Sequence, residues 1–289
     1  MATRTNPESA LAGLLPEGVD AERVFIHGGL ILSILLMGLP LILALIMSTQ
    51  TTSEVYQVTN VGIGSEGLSN YGTALNQFDF GQYIVNSIVM SVIIVVGKVV
   101  LSLFAALALV YYKLPYERGI FMFILLTLLL PVPVRIVPLF DLMARLGWGN
   151  TLMAITGPYI ASATAVFLFR QHFMSIPASL VENAHLDGVG PLTFLWEVLI
   201  PMSKGMIAGV SVITFIYSWN QYLWPLIIMS DQSQQVVQVG LRFLQAASQS
   251  GLTQWGLIMA GAIIALLPPL AVLIVAHRPL LETLAIQQK

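Results

Sequence analysis

Cysteine is absent from these 289 residues, and charged residues make up only 9% of them. Without cysteine the chain has no disulfide, no thiolate metal site and no thiol nucleophile. With so few charges and a mean hydropathy of +0.85, it cannot wrap an apolar interior in polar surface as a soluble domain of this length must. A formal net charge of −2 lacks the basic excess that a nucleic-acid partner calls for. Three catalytic signatures are missing as well: the phosphate-cradling G-x-x-x-x-G-K-[ST] loop, H-E-x-x-H and G-x-S-x-G. No catalytic residue and no cofactor is assigned to the chain, and any ATP chemistry must come from another polypeptide. The longest stretches outside apolar runs hold about 35 residues, too few for an independent soluble core.

What is abundant is apolar sequence in long runs. A helix needs about 20 apolar residues to cross a bilayer core of roughly 30 Å, and six segments meet that demand: Val24 to Met47, Tyr83 to Tyr111, Gly119 to Asp141, Thr151 to Arg170, Gly205 to Ser230 and Gln254 to His277. The expectation is an all-α integral membrane protein with six transmembrane helices. Its parts are an N-terminal tail 1–23, a first span 24–47, an external loop 48–82, a core 83–277 and a C-terminal tail 278–289. The first run exceeds a signal-peptide core and has no clear small-residue cleavage site, so it reads as a retained span. Basic residues are unevenly shared. Arg4, Arg23, Lys113, Arg118, Arg170, Lys204, Arg278 and Lys289 fall on one side, and only Arg145 and Arg242 on the other. The positive-inside rule then places both termini, and the loop 171–204, in the cytosol.

That loop holds a polar island, Glu182 to Pro201, between membrane-grade segments. Pro177 can open a short helix, with Ser175 positioned to cap it. Gly188 can end it, Val189 and Gly190 can turn, and Pro191 can open a second helix that runs to a break at Pro201. Leu180, Ala184, Leu192, Leu195 and Val198 are expected to pack inward. Glu182 and Asp187 face outward near the turn.

The island resembles the EAA loop of ABC importer permeases: Glu-Ala-Ala, three residues, Gly, nine residues, Ile-x-Leu-Pro. Glu182, Ala184, Gly188 and Pro201 match in register, while Asn183, Val198 and Ile200 depart mildly. Flanking runs extend the likeness from about Tyr83 to the end of the chain. FLFRQHFMSIP, VITFIYSWNQYLWPLIIMSD and LLLPVPVRIVP resemble the smaller permease subunit of carbohydrate importers, the MalG-like type, and within it the permeases of sn-glycerol-3-phosphate importers. The resemblance implies an ABC importer permease fold whose coupling helix docks on an ATPase. In that role stand Glu182, Asn183, Ala184, Asp187, Gly188 and Pro201. Implied partners are a second homologous permease, two ATP-binding subunits that hold ATP and Mg, and a substrate-binding protein, all at the bacterial inner membrane. Implied substrates are sn-glycerol 3-phosphate or glycerophosphodiesters. The alternative is a neutral oligosaccharide such as maltose or trehalose, and the remote alternative an autonomous secondary carrier, for which the spans offer neither inverted repeats nor paired carboxylates.

A charge inside a span is costly unless a partner or water meets it. Lys98 lies near the middle of the second span, and Arg135 lies among Pro131, Pro133 and Pro138, prolines that interrupt regular helix. Counted from Gly119, Arg135 is 16 residues in, roughly 24 Å, and Asn220 is 15 residues from Gly205. The matching depths make Arg135, Asn220, Gln221 and Lys98 the candidate translocation path, with arginine suited to a phosphate group. Two other readings stay open: a structural pair for Lys98, and an interfacial belt of Trp219, Tyr222 and Trp224 around Arg135 and Asn220. His27, His172, His185 and His277 are too scattered for a metal site. Small residues, among them Ala105, Ala106, Ala108, Gly205, Gly209, Gly256 and Gly261, permit close helix contacts in lipid.

Overall fold

Proline and glycine decide where the apolar runs stay straight and where they break. The computed structural model describes residues 21–57, 62–112, 114–246 and 251–286, without the side chains of 21–24, 132, 185 and 278–286. Among them every regular element is helical. The helices of eight or more residues are α1 (Ala21–Met47), α2 (Ser69–Gln77), α3 (Phe80–Tyr111), α4 (Glu117–Leu126), α5 (Val132–Arg145), α6 (Ala163–Met174), α7 (Ala178–Leu186), α8 (Lys204–Trp219), α9 (Val237–Ala246) and α10 (Trp255–Ile286).

Three helices are long and apolar enough to cross a membrane unbroken: Phe25–Met47, Phe80–Tyr111 and Trp255–His277. Three further spans exist only as bent pairs, so the count reaches six if each pair is one span. The sharpest bend, 103°, separates Glu117–Leu129 from Pro133–Arg145. Pro131 and Pro133 cause it, because two missing N–H groups and two rings interrupt the i→i−4 ladder. Leu152–Tyr159 meets Ala163–Met174 at 41°, and Pro191–Met202 meets Lys204–Trp219 at 80°. The fifth expected span also stops early: α8 ends at Trp219, and a short helix, Leu223–Ile228, follows Asn220 to Tyr222.

The long helix α3 is the spine, packed against α8 and α6, while α8 also packs on α10. At one end of the bundle Leu103, Ala106 and Leu107 of α3 bury against Phe169 and Phe173 of α6, Val210 of α8, and Phe194, Leu195 and Leu199. At the other, Phe80, Tyr83, Phe215, Trp219 and Leu244 form a second cluster. Met90 and Ile94 join Met143, Ile155 and Trp224 in a third. Helix α1 lies at the edge, exposed over most of its length and packed on α10.

Lipid tails are as apolar as leucine, so close contact rather than apolar burial holds such helices together. Gly256 shows the requirement: a Cβ there would run into the carbonyl oxygen of Gln50. That contact seats the segment after α1 on the start of α10. Asn70 Nδ2 fixes the same segment by donating to the carbonyls of Ser48 and Gln50, each at 3.0 Å. Gly261 is similarly tight against Leu244.

Two expectations about tryptophan are corrected. Trp219 and Trp224 do not form an interfacial belt. Both are almost fully buried, with Trp219 Nε1 donating to the Ala265 carbonyl at 3.1 Å and Trp224 Nε1 to the Ala154 carbonyl at 2.9 Å. Only Tyr222 remains at the surface, its hydroxyl accepting from Arg242 at 2.9 Å.

Candidate functional site

The polar island folds as a helix, a glycine turn and a second helix. Pro177 precedes α7, and its carbonyl accepts from Leu180 N at 3.1 Å. Ser175 does not cap α7. Its hydroxyl donates back to the His172 carbonyl at 2.6 Å, closing α6 instead. At the other end Gly188 adopts φ +68°, a left-handed conformation that costs residues with a Cβ. With that turn in place, Val189 N donates to the Ala184 carbonyl at 2.9 Å, the six-to-one bond of a Schellman motif. Glu182, Asn183, Asp187 and Gly188 are exposed, and Ala184 packs against the core beneath.

The second helix, from Pro191 to Met202, contains a π-helical segment, Leu195–Leu199, and does not stop at Pro201. The widened turn precedes Pro201, whose ring and missing N–H disfavour the regular ladder. The bend falls at Ser203 instead. Leu180 and Leu192 are exposed rather than inward, and Val181, Phe194 and Leu199 take the inward places beside Leu195. Phe194 is the root of the loop: its ring meets Tyr111 edge-on at 5.4 Å, and Tyr111 Oη donates to the Phe173 carbonyl at 3.0 Å. The loop is thereby packed on α3, α6 and α8 together.

The intramembrane polar residues line two adjoining cavities. Lys98 and Arg135 share one of about 1090 Å³, with no Asp or Glu among its lining residues. Asn220 and Gln221 line a neighbouring one of about 500 Å³. Ile136, Tyr159 and Tyr217 belong to both walls. Depth counted along a straight helix does not hold for Arg135, because the 103° bend comes before it. The bend nevertheless delivers Arg135 to the cavity that Lys98 lines. Asn220 is exposed, donating to the Ile216 carbonyl at 2.9 Å and accepting from Gln238 at 3.2 Å. Gln221 is buried, and both its amide atoms lack a hydrogen-bond partner among the described residues.

The Lys98 ammonium lies 4.8 Å from the Tyr217 ring centroid, and only 8% of the residue is exposed. No structural ion pair is found for it among the described residues, in contrast to Arg145, paired with Asp141, and Arg170, paired with Glu117. A lysine at mid-span costs about 2.5–3.5 kcal/mol, and a desolvated cation–π contact returns about 2 kcal/mol or more. Tyr159, Tyr217 and Ser102 also line the cavity, and nothing in their local sequence marks them for it. Ser102 follows Lys98 by four residues, and Tyr217 precedes Asn220 by three, spacings that put each pair on one helix face. Of the histidines, His277 bonds the carbonyl of Ile274 on its own helix, and the side chain of His185 lies outside the described residues.

Residues 98–280 match the family described as the binding-protein-dependent transport system inner membrane component. The chain belongs to that family. Members similar along nearly the whole chain are permease proteins of the sn-glycerol-3-phosphate transport system, UgpE. That of Yersinia enterocolitica is 40% identical over 262 residues, 88% of this chain and 93% of its own. The Pectobacterium atrosepticum protein is 41% identical with the same coverage. An Escherichia coli O6 relative is 37% identical over 92% of this chain and 97% of its own. In three dimensions the chain is similar to part of a bacterial ABC transporter involved in import of the acidic polysaccharide alginate. The match has a TM-score of 0.77 and 25% identity over 91% of this chain and 99% of the other. A second chain, from the alginate transporter bound to its pentasaccharide-loaded periplasmic protein, shares the fold at a TM-score of 0.61 and 14% identity. The protein is thus a multi-pass permease component of the bacterial inner membrane, working in a binding-protein-dependent importer.

Proposed function

We propose that this permease subunit moves sn-glycerol 3-phosphate, delivered by a substrate-binding protein, through the cavity lined by Arg135 and Lys98. The observation that carries the substrate is that cavity: two cations, hydroxyls from Ser102, Tyr159 and Tyr217, and no carboxylate. An anionic ester meets donors there and no like charge. Relatives at 37–41% identity carry the sn-glycerol-3-phosphate name over at least 88% of this chain. Asn220 and Gln221, in the adjoining cavity, belong to the same path.

Coupling runs through the exposed turn. Two ATP-binding subunits, holding ATP and Mg, sit on the cytosolic face with both termini. One takes Glu182 to Gly188 into its surface, and a second homologous permease completes the path. Closure of the ATPases shifts α7, and Phe194 passes the shift to α3, α6 and α8, so that the bundle rocks between inward- and outward-facing states. The 80° bend at Ser203, just past Pro201, keeps the lever distinct from α8.

The test is ligand-stimulated ATPase activity of the complete reconstituted importer with its binding protein, offered glycerol 3-phosphate, a glycerophosphodiester or maltose. Stimulation by phosphate esters alone is the expected result. Stimulation by maltose alone moves the substrate to a neutral sugar and leaves Arg135 an anchoring residue.

A further inference from the structure

Lys98 and Arg135 line one cavity together with a small set of hydroxyl groups. The Lys98 ammonium faces the Tyr217 ring at 4.8 Å. Tyr159 and Tyr217 line both this cavity and the adjoining one. All four residues line the same cavity, as does Ser102, one turn along α3 from Lys98. The wall comes from four separate stretches of the chain: α3, α5, the bend before α6, and α8.

Two cations with no acid between them are not matched by just any anion. A phosphomonoester carries about −1.5 to −2 charges near neutral pH, whereas a phosphodiester has a single acidic oxygen and carries one. Placed in this cavity, the diester satisfies one cation and leaves the other buried and uncompensated, a costly arrangement at low dielectric. The monoester has charge for both. Arg135 offers a planar fork that takes two phosphate oxygens, and Lys98 acts as a point charge on a flexible stem.

We infer that Lys98 and Arg135 form a two-cation site for a dianionic phosphate group, and that Lys98 is the specificity residue by which this permease favours phosphomonoesters over phosphodiesters. The inference rests on the reading of the cavity as the substrate path, and it adds a charge-state preference to that path. Lys98 does no chemistry; it binds.

The experiment is uptake by proteoliposomes containing the complete importer and its binding protein, with glycerol 3-phosphate and a glycerophosphodiester measured side by side. The monoester-to-diester ratio of kcat/KM in Lys98→Gln, divided by the same ratio in the unaltered importer, cancels whatever selectivity the binding protein imposes. Loss of one cation should lower that quotient about fivefold or more, and Lys98→Arg should hold it within about twofold of one. If Lys98→Gln does not assemble with the other subunits, Lys98→Met, an apolar chain of similar length, gives the same reading.

A quotient near one in both neutral variants overturns the role of Lys98 while the substrate reading stands. An unaltered importer that moves neither ester overturns the substrate reading, and the inference with it. A bilayer phospholipid also presents phosphate, so the assay is repeated in vesicles of phosphate-free galactolipid. An effect of Lys98→Gln confined to phospholipid vesicles assigns the cation to a lipid headgroup and overturns the proposal. The same effect in both lipids supports it.

Discussion

The amide of Val189 donates to the carbonyl of Ala184 at 2.9 Å, across a turn in which Gly188 holds φ +68°. That bond fixes the direction in which the chain leaves α7, and so the way the exposed face of Glu182, Asn183 and Asp187 is presented. Forcing a side chain into this backbone conformation costs about 1–2 kcal/mol, and a β-branched one is worst. Gly188→Val should abolish ligand-dependent uptake by the complete importer while the subunits still copurify. Gly188→Asn should retain a substantial part, because asparagine tolerates the left-handed region. Equal loss in both variants would assign the effect to bulk at the docking surface rather than to backbone geometry.

Glu182 is exposed, one turn before the end of α7. Its removal leaves no buried group unpaired, so thermal stability should stay within about 0.5 kcal/mol. Glu182→Lys should nevertheless uncouple the importer, with ATP-driven uptake falling at least tenfold at unchanged membrane insertion. Uptake at the normal rate would mean that coupling does not pass through this residue.

How legible these features were depended on the range of the interaction behind them. The turn at Gly188 needs only local chemistry, a glycine at a helix end and a proline opening the next helix, and both stand in the sequence. Direction was harder than existence. Leu180 and Leu192 have the right polarity to face inward, but Val181, Phe194 and Leu199 hold the inward places, a choice made by packing against Tyr111 and Val210 that polarity alone does not reveal. The depth argument for Arg135 assumes a straight span. Pro131 and Pro133 bend it by 103°, so its meeting with Lys98 in one cavity is a tertiary result that counting residues cannot supply. The belt reading of the tryptophans, left open by the sequence, fails for a related reason. A tryptophan near a span end suits a lipid interface, and only the carbonyls of Ala265 and Ala154, distant in sequence, show that these two are wanted inside.

Trp219 separates the two readings of such residues. It is 1% exposed and stacks on Phe215 at 5.8 Å while its indole N–H meets Ala265. Trp219→Phe keeps a ring but strands the Ala265 carbonyl, which should cost about 1–3 kcal/mol and lower the Tm of the detergent-solubilised importer by several degrees. Tyr222→Phe should barely move the Tm, since that side chain lies at the surface and its bond to Arg242 is exposed. A larger drop at Tyr222 than at Trp219 would restore the interfacial-belt reading.

Phe194 tests whether the coupling loop is a lever or only a foot. Its ring is 6% exposed and sits edge-on to Tyr111, which is itself bonded to the end of α6. In the proposed coupling Glu182 and Gly188 shape the surface offered to the ATPase, whereas Phe194 lies behind that surface, buried against Tyr111. Truncating a buried phenylalanine leaves a void and typically costs about 3–5 kcal/mol in a well-packed core. Here much of that loss falls on the joint between the loop and the bundle. Phe194→Ala should therefore leave the ATPase subunits bound and turning over, while uptake per ATP hydrolysed falls severalfold. Phe194→Leu, which keeps most of the volume, should recover a large part of the coupling. If Phe194→Ala lowers uptake and ATPase activity in the same proportion, the loop works as a docking foot alone, and the motion reaches α3, α6 and α8 by another route.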